Sequence, residues 1–239
     1  MRILSIGNSF SRNSHTFLHR MACSADECLE TTNLYIGGCP LSLHFRNMLS
    51  NEAAYELDFN GYRTGFKVSL KQSLLANEWD IITIQQASSK SFSPDSYKPY
   101  ISKVIDYVRE ICPKAKIYIH QTWAYQDGSN RLSDYGFSSS DEMFALIEEA
   151  YNKAAVEIHA DGIIRSGEAI QRLRKAGITD LQPDGFHLND GIACYTSSLV
   201  WLKTLMGTDL DKVTFTETDI PITDEQINIA KNVVNEMNL

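Results

Sequence analysis

The sequence is short of the features that mark several classes of protein. Its 13 glycines and 6 prolines in 239 residues form no Pro-, Gly- or Ser-rich linker, and there is no internal repeat or low-complexity segment. Five cysteines (Cys23, Cys28, Cys39, Cys112, Cys194) are odd in number and widely scattered, which fits neither a disulfide framework nor a paired zinc pattern. They read as small buried hydrophobes. No apolar run approaches the ~20 residues needed to span a bilayer, so no membrane partner is expected. Met1 leads at once into strand-like sequence instead of a signal peptide. A soluble chain is expected, cytoplasmic, or secreted or periplasmic if a leader has been removed.

Positive charge is also scarce. Lys and Arg number 22 against 30 Asp and Glu, a net charge of −8 with a pI near 5.2. Nucleic-acid affinity comes largely from basic side chains that neutralise phosphates, so nucleic acid is not expected as a partner. No Gly-x-Ser-x-Gly elbow occurs, which argues against the larger α/β-hydrolase family. The Gly-x-Gly-x-x-Gly fingerprint is missing after the first strand, so a dinucleotide cofactor has no support, and no cofactor of any kind is expected. His15 and His19 lie one helical turn apart without an acidic residue to complete a zinc pattern. They read as solvent-facing, and no metal is expected.

What is present is enough apolar sequence, 43% of the chain, to bury a full core in one domain covering residues 1–239. Short β-branched runs alternate with helical-period stretches, the pattern of a parallel sheet covered by crossover helices. The predicted strands are Arg2–Ile6, Thr32–Ile36, Asp80–Gln85, Lys116–Gln121 and Gly162–Ile164. The consecutive apolar run Ile81–Ile84 predicts a middle strand buried on both faces. This is an α/β chain, a three-layer α/β/α sandwich around a central parallel sheet of about five strands, flavodoxin-like in its winding.

Apolar residues at spacings of three and four (Phe144, Ile147, Tyr151, Ala154, Ile158) predict a helix between Ser140 and Ala160, with Ser139 and Glu142 as a capping box. Thr223 and Gln226 form a second capping box, opening a helix whose stripe Ile227, Ala230, Val234, Met237 should pack on the sheet. Asn60-Gly61 between Ala54–Phe59 and Gly65–Val68 predicts a tight hairpin. Tyr125–Ser140, rich in Gly, Asn and Asp, is the longest predicted loop.

Two segments carry candidate chemistry. Gly7-Asn8-Ser9 ends the first strand, and open α/β sheets bind ligands at the carboxyl ends of their strands. The same residues also suit an ordinary strand-to-helix turn. Asp184-Gly185-Phe186-His187 places an acid and a histidine three apart, where the carboxylate can fix the imidazole tautomer and stabilise the imidazolium.

Taken together, Gly7-Asn8-Ser9-Phe10-Ser11, Gly37-Gly38-Cys39, Gln85-Gln86-Ala87-Ser88 and Asp184-x-x-His187 stand in the order of the SGNH/GDSL hydrolase blocks. The sequence resembles in particular the bacterial, DUF4886-like subgroup with a Gly-Asn-Ser-Phe-Ser first block, a Gln-containing third block and a Thr122-Trp123 segment. The resemblance spans nearly the whole chain. It implies Ser9 as nucleophile, His187 as general base and Asp184 as its partner. It also implies an oxyanion hole from the N–H groups of Ser9 and Gly38 and a third-block amide. Two departures stand out: Asn8 replaces the usual first-block Asp, and the third block lacks Gly-x-Asn-Asp. Gln85 is then the expected amide donor, with Gln86 second. Gln86 and Trp123 are the expected substrate-binding residues. Cys39 ranks below Ser9 because the blocks give the base to the serine.

The activity implied is hydrolysis of a small or carbohydrate ester through an acyl-serine, with a carbohydrate O-acetyl ester foremost. The rate should fall toward acid as His187 takes up a proton. A non-catalytic carbohydrate-binding protein on the same fold is the alternative, and retention of Ser9, Asp184 and His187 as a set counts against it.

Overall fold

The computed structural model describes residues 1–239 and contains seven strands in one sheet. They are β1 (Arg2–Gly7), β2 (Glu30–Tyr35), β3 (Tyr55–Phe59), β4 (Tyr62–Val68), β5 (Ile81–Ile84), β6 (Lys116–His120) and β7 (Gly162–Ile164), in the order β4-β3-β2-β1-β5-β6-β7. The five strands β2, β1, β5, β6 and β7 are parallel. They are the five expected from sequence, in the flavodoxin-like order. The sheet has two strands more than expected because the Asn60-Gly61 hairpin pairs antiparallel along β2 and so extends it. Asn60 and Gly61 both have positive φ, the conformation a two-residue hairpin turn requires. Every residue of β5 is buried, as its uninterrupted Ile-Ile-Thr-Ile run predicts.

The helices are α1 (Ser9–His15), α2 (Leu18–Ser24), α3 (Leu41–Ser50), α4 (Leu70–Leu75), α5 (Tyr100–Ile111), α6 (Asn130–Asp134), α7 (Ser140–Glu157), α8 (Ser166–Lys175), α9 (Ile192–Met206) and α10 (Asp224–Asn235). Helices α1, α2, α8 and α9 pack together on one face of the sheet, while α3, α4, α5 and α7 cover the other. Helix α9 is buried from Ile192 to Leu202, the reason its sequence has no clear polar stripe. No helix is long and apolar enough to cross a membrane.

Three details differ from expectation. Glu142 turns back to the N–H and hydroxyl of Ser138, so only half of the Ser139 capping box forms, whereas the Thr223–Gln226 box is complete. Helix α10 lays its apolar stripe on α9 and α8 instead of on the sheet, whose face α9 already fills. His15 is buried, its Nε2 2.9 Å from Ser5 Oγ, while Cys23 and Cys28 are exposed.

Candidate active site

The carboxyl ends of β1 and β2 and the loop before α9 converge on one place. At the end of β1, Asn8 has extended backbone geometry and caps α1, its Oδ1 accepting the N–H of Phe10 at 3.0 Å. Ser9 is the first residue of α1, where a backbone N–H has no partner within the helix. After β2, Gly38 sits in the left-handed region at φ +60° with open space where a side chain would be. Its N–H makes no hydrogen bond within the protein.

The imidazole beside Ser9 arrives from far along the chain. Asp184 accepts the N–H groups of His187 at 2.8 Å and Phe186 at 3.0 Å through Oδ1, a local turn made by the side chain itself. Gly185 passes through it at φ +88°, where a Cβ would collide with the Ser129 side chain. Asp184 Oδ2 then accepts from His187 Nδ1 at 2.6 Å, and His187 Nε2 lies 2.8 Å from Ser9 Oγ. Partial burial works against charge on Asp184, but the two amide donors and the imidazole outweigh it, so its pKa lies below the usual carboxylate range. Ser9 and the Asp184–His187 pair, distant in sequence, come together as a hydroxyl, an imidazole and a carboxylate in hydrogen-bonding order.

Several longer bonds fix the loop. Asn13 of α1 accepts the N–H of Leu188 at 3.2 Å, tying the helix of Ser9 to the loop of His187. The backbone N–H of Gln126 donates to Gly185 O at 2.8 Å, so the expected Tyr125–Ser140 loop, which contains α6, leans against the histidine turn. Asn13 carries no sequence signal of its own, because an asparagine on a helix is ordinary until its partner is known.

The third block is placed differently from expectation. Gln85 is buried, its Nε2 donating to Asn8 Oδ1 at 2.7 Å and its Oε1 lying 2.7 Å from His120 Nδ1. Its amide is therefore committed beneath the nucleophile turn instead of opening onto substrate. Asn8 passes the chain on, its Nδ2 donating to Cys39 O at 3.2 Å. Gln86 is buried too. Its Oε1 accepts the N–H groups of Leu41 and Ala87, and its Nε2 donates to Ser96, which leaves nothing for a ligand. Trp123 is fully buried and stacks on Phe10 at 4.3 Å, with Nε1 donating to Phe186 O at 2.8 Å. It supports the histidine loop from below and does not wall the site. In the Gln85–Ser88 segment only Ser88 keeps its side chain partly exposed.

His120 is the polar centre of the buried side. Burial, with His15 nearby, pushes its pKa down to about 3, so it is a neutral hydrogen-bonding group. The Cys39 thiol is buried and pushed up to about 12, which makes it a poor nucleophile. Two surface hollows, of about 670 and 750 Å3, lie along α7 and beyond β7, away from Ser9.

Comparison with known proteins agrees with this architecture. The family model for DUF4886, a domain of unknown function, matches residues 2–236. The crystal structure of a DUF4886 family protein from Bacteroides uniformis ATCC 8492 superposes with a TM-score of 0.89 at 29% identity, covering 98% of this chain and 93% of that one. A protein from Slackia heliotrinireducens, described as a candidate SGNH hydrolase, gives 0.62 at 24% identity over 85% and 98% of the two chains. An acetyl xylan esterase from Geobacillus stearothermophilus gives 0.50 at 13% identity over 93% and 96%. A search of curated proteins returned no significant match. With the family model matched over residues 2–236, and a fold shared with the Slackia heliotrinireducens protein, the chain belongs to the DUF4886 family.

Proposed function

We propose that the protein is a serine esterase working through an acyl-enzyme. The observation that carries this reading is the continuous run from Asp184 Oδ2 through both nitrogens of His187 to Ser9 Oγ, at 2.6 and 2.8 Å. Ser9 Oγ attacks the ester carbonyl while His187 Nε2 takes its proton. Asp184 holds the imidazole in the tautomer that presents a free Nε2 and stabilises the cation that forms. The negative charge growing on the carbonyl oxygen meets the N–H groups of Ser9 and Gly38, which need no reorganisation to receive it. His187 returns the proton to the leaving alcohol. Water then attacks the acyl-serine by the same route, releasing the acid and restoring Ser9.

Gln85 enters this mechanism as a positioning residue. By holding Asn8, which in turn holds Cys39 O, it sets the distance between the two backbone donors. Carbohydrate O-acetyl esters are the foremost substrate class, on the family resemblance and on the acetyl xylan esterase among proteins of this fold.

The test is hydrolysis of an aryl acetate at pH 7.5 by the wild type and by Ser9→Ala. Turnover that drops by about 10⁴-fold or more in the variant supports the reading. Equal rates in the two proteins exclude Ser9 as nucleophile. No turnover of aryl or sugar acetates by the wild type favours a binding protein on the hydrolase fold.

A further inference from the structure

Beside His187 lies a cation that ester hydrolysis by the triad leaves unused. Arg131 of α6 holds its guanidinium carbon 4.0 Å above the ring of Phe186, and that ring is itself 3.8 Å from the imidazole of His187. The guanidinium is therefore one aromatic ring away from the base. Arg131 is exposed, and no carboxylate lies within 4.0 Å of it, although Asp134 is three residues on and Asp184 belongs to the adjoining turn. Its guanidinium rests on the Phe186 ring and makes no hydrogen bond to the protein. In a chain with 30 acidic residues and a net charge of −8, an arginine at the active-site mouth without an acidic partner is available to a ligand.

Its surroundings have a definite character. Tyr135, 40% exposed, packs 5.8 Å from Tyr125, whose ring lies 6.1 Å from Phe186. The Tyr125 hydroxyl donates to Ser88 Oγ at 3.1 Å, which leaves the Ser88 hydroxyl proton free to donate at the end of β5. A cation, an aromatic face and a hydroxyl are thus grouped on the His187 side of the site. The oxyanion donors, Ser9 and Gly38, belong to the β1 and β2 side.

The chemistry decides which half of an ester meets this group. His187 gives its proton to the leaving alcohol, so the alcohol stands on the histidine side and the carbonyl oxygen stands toward Gly38. We propose that Arg131, Tyr135 and Ser88 form a subsite for the leaving alcohol and that this alcohol is an acidic sugar. Its carboxylate pairs with the planar guanidinium fork, and its ring lies against Tyr135. The inference rests on the esterase reading and narrows its substrate class.

Matched substrates test it. The kcat/KM of an O-acetylated methyl glucuronoside is compared with that of the same acetylated methyl glucoside, in the wild type, Arg131→Gln and Arg131→Lys. The wild type should favour the acidic ester by about tenfold or more. Arg131→Gln should remove that preference, mostly through KM, and Arg131→Lys should restore only part of it. High salt should narrow the preference in the wild type. An aryl monosuccinate, with its acid on the acyl side, should gain nothing from Arg131 over an aryl acetate. The proposal falls if the wild type treats the two sugar esters alike, if Arg131→Gln lowers both by the same factor, or if only the succinate responds to Arg131. If no ester is hydrolysed at all, the esterase reading fails separately. Binding of glucuronate against glucose to the Ser9→Ala protein then still reads the subsite: binding of glucuronate that Arg131→Gln abolishes upholds it, and no difference between the sugars overturns it.

Discussion

Ser9 stands on a turn whose supports, Asn8, Gln85 and His120, are at most 1% exposed, whereas the side chains of His187 and Asp184 are 34% and 47% exposed. The nucleophile turn is held by bonds between residues far apart in sequence, Asn8 to Gln85 and Gln85 to His120. The base is held mainly by bonds within its own four-residue turn. A buried polar chain is costly to interrupt because the abandoned partner cannot turn to water. An exposed turn can. The two walls of the site should therefore answer differently to substitution, one through stability and catalysis together, the other through catalysis alone.

The largest effect should come from the exposed wall. Asp184→Asn keeps the size of the side chain but presents the wrong partner to Nδ1, and kcat for an aryl acetate should fall by about 10³- to 10⁴-fold. Its urea midpoint should stay near that of the wild type, and a large drop in both would break the contrast. Gln85→Leu should do the reverse in proportion. It strips a donor from Asn8 Oδ1 and leaves His120 Nδ1 without its partner, for a loss of about 2–5 kcal/mol in stability. Only about a 10- to 100-fold loss of kcat is expected to accompany it, as the oxyanion donors drift from their positions.

Acid separates the walls without mutation. Burial pushes His15, His44 and His120 down to about 3, so all three stay neutral in the folded protein. An unfolded histidine takes up its proton near pH ~6.5, so their contribution is complete above that pH. It declines as pH falls toward the folded values, by about 1.4 kcal/mol per pH unit for each histidine. Asp184 has a folded pKa below its ordinary value, so its smaller contribution is present above about 3.9 and disappears only as pH falls through the lower folded value. Urea midpoints at pH 7, 5.5 and 4.5 should thus fall steadily, driven by the buried histidines. A midpoint that does not move across this range would show that the buried side is not titrating as described.

The contrast also explains what could be read from the sequence. The five parallel strands and the hairpin were legible because periodicity and Asn-Gly turns are local signals. Ser9, Gly38, Asp184 and His187 were legible because each sits in a compact block whose order could be matched. Gln86 and Trp123 lie in the same blocks, yet they face inward to Ser96 and Phe186, and no local pattern states which way a strand-end side chain will turn. Gln85 was singled out for its amide, but its partners His120 and Asn8 are 35 and 77 residues away. Arg131 gave no sign, since a lone arginine in a polar loop becomes informative only once Phe186 and His187 are seen beneath it.

Trp123 offers the smallest and sharpest probe, because it touches both walls. Its ring stacks on Phe10, the residue after the nucleophile, while its Nε1 donates to Phe186 O, the residue before the base. Trp123→Phe keeps an aromatic ring against Phe10 and removes the N–H together with part of the indole's volume. Phe186 O would retain Gln182 Nε2 as a donor at 3.2 Å, so no buried carbonyl is left unpaired. The expected stability loss is about 1 kcal/mol, the net worth of one hydrogen bond with some lost packing. If the base is positioned mainly by its own turn, kcat should fall less than about tenfold and KM should hardly change. A fall as deep as that of Asp184→Asn would mean that His187 is aimed from the buried core after all, and that the two walls act as one unit.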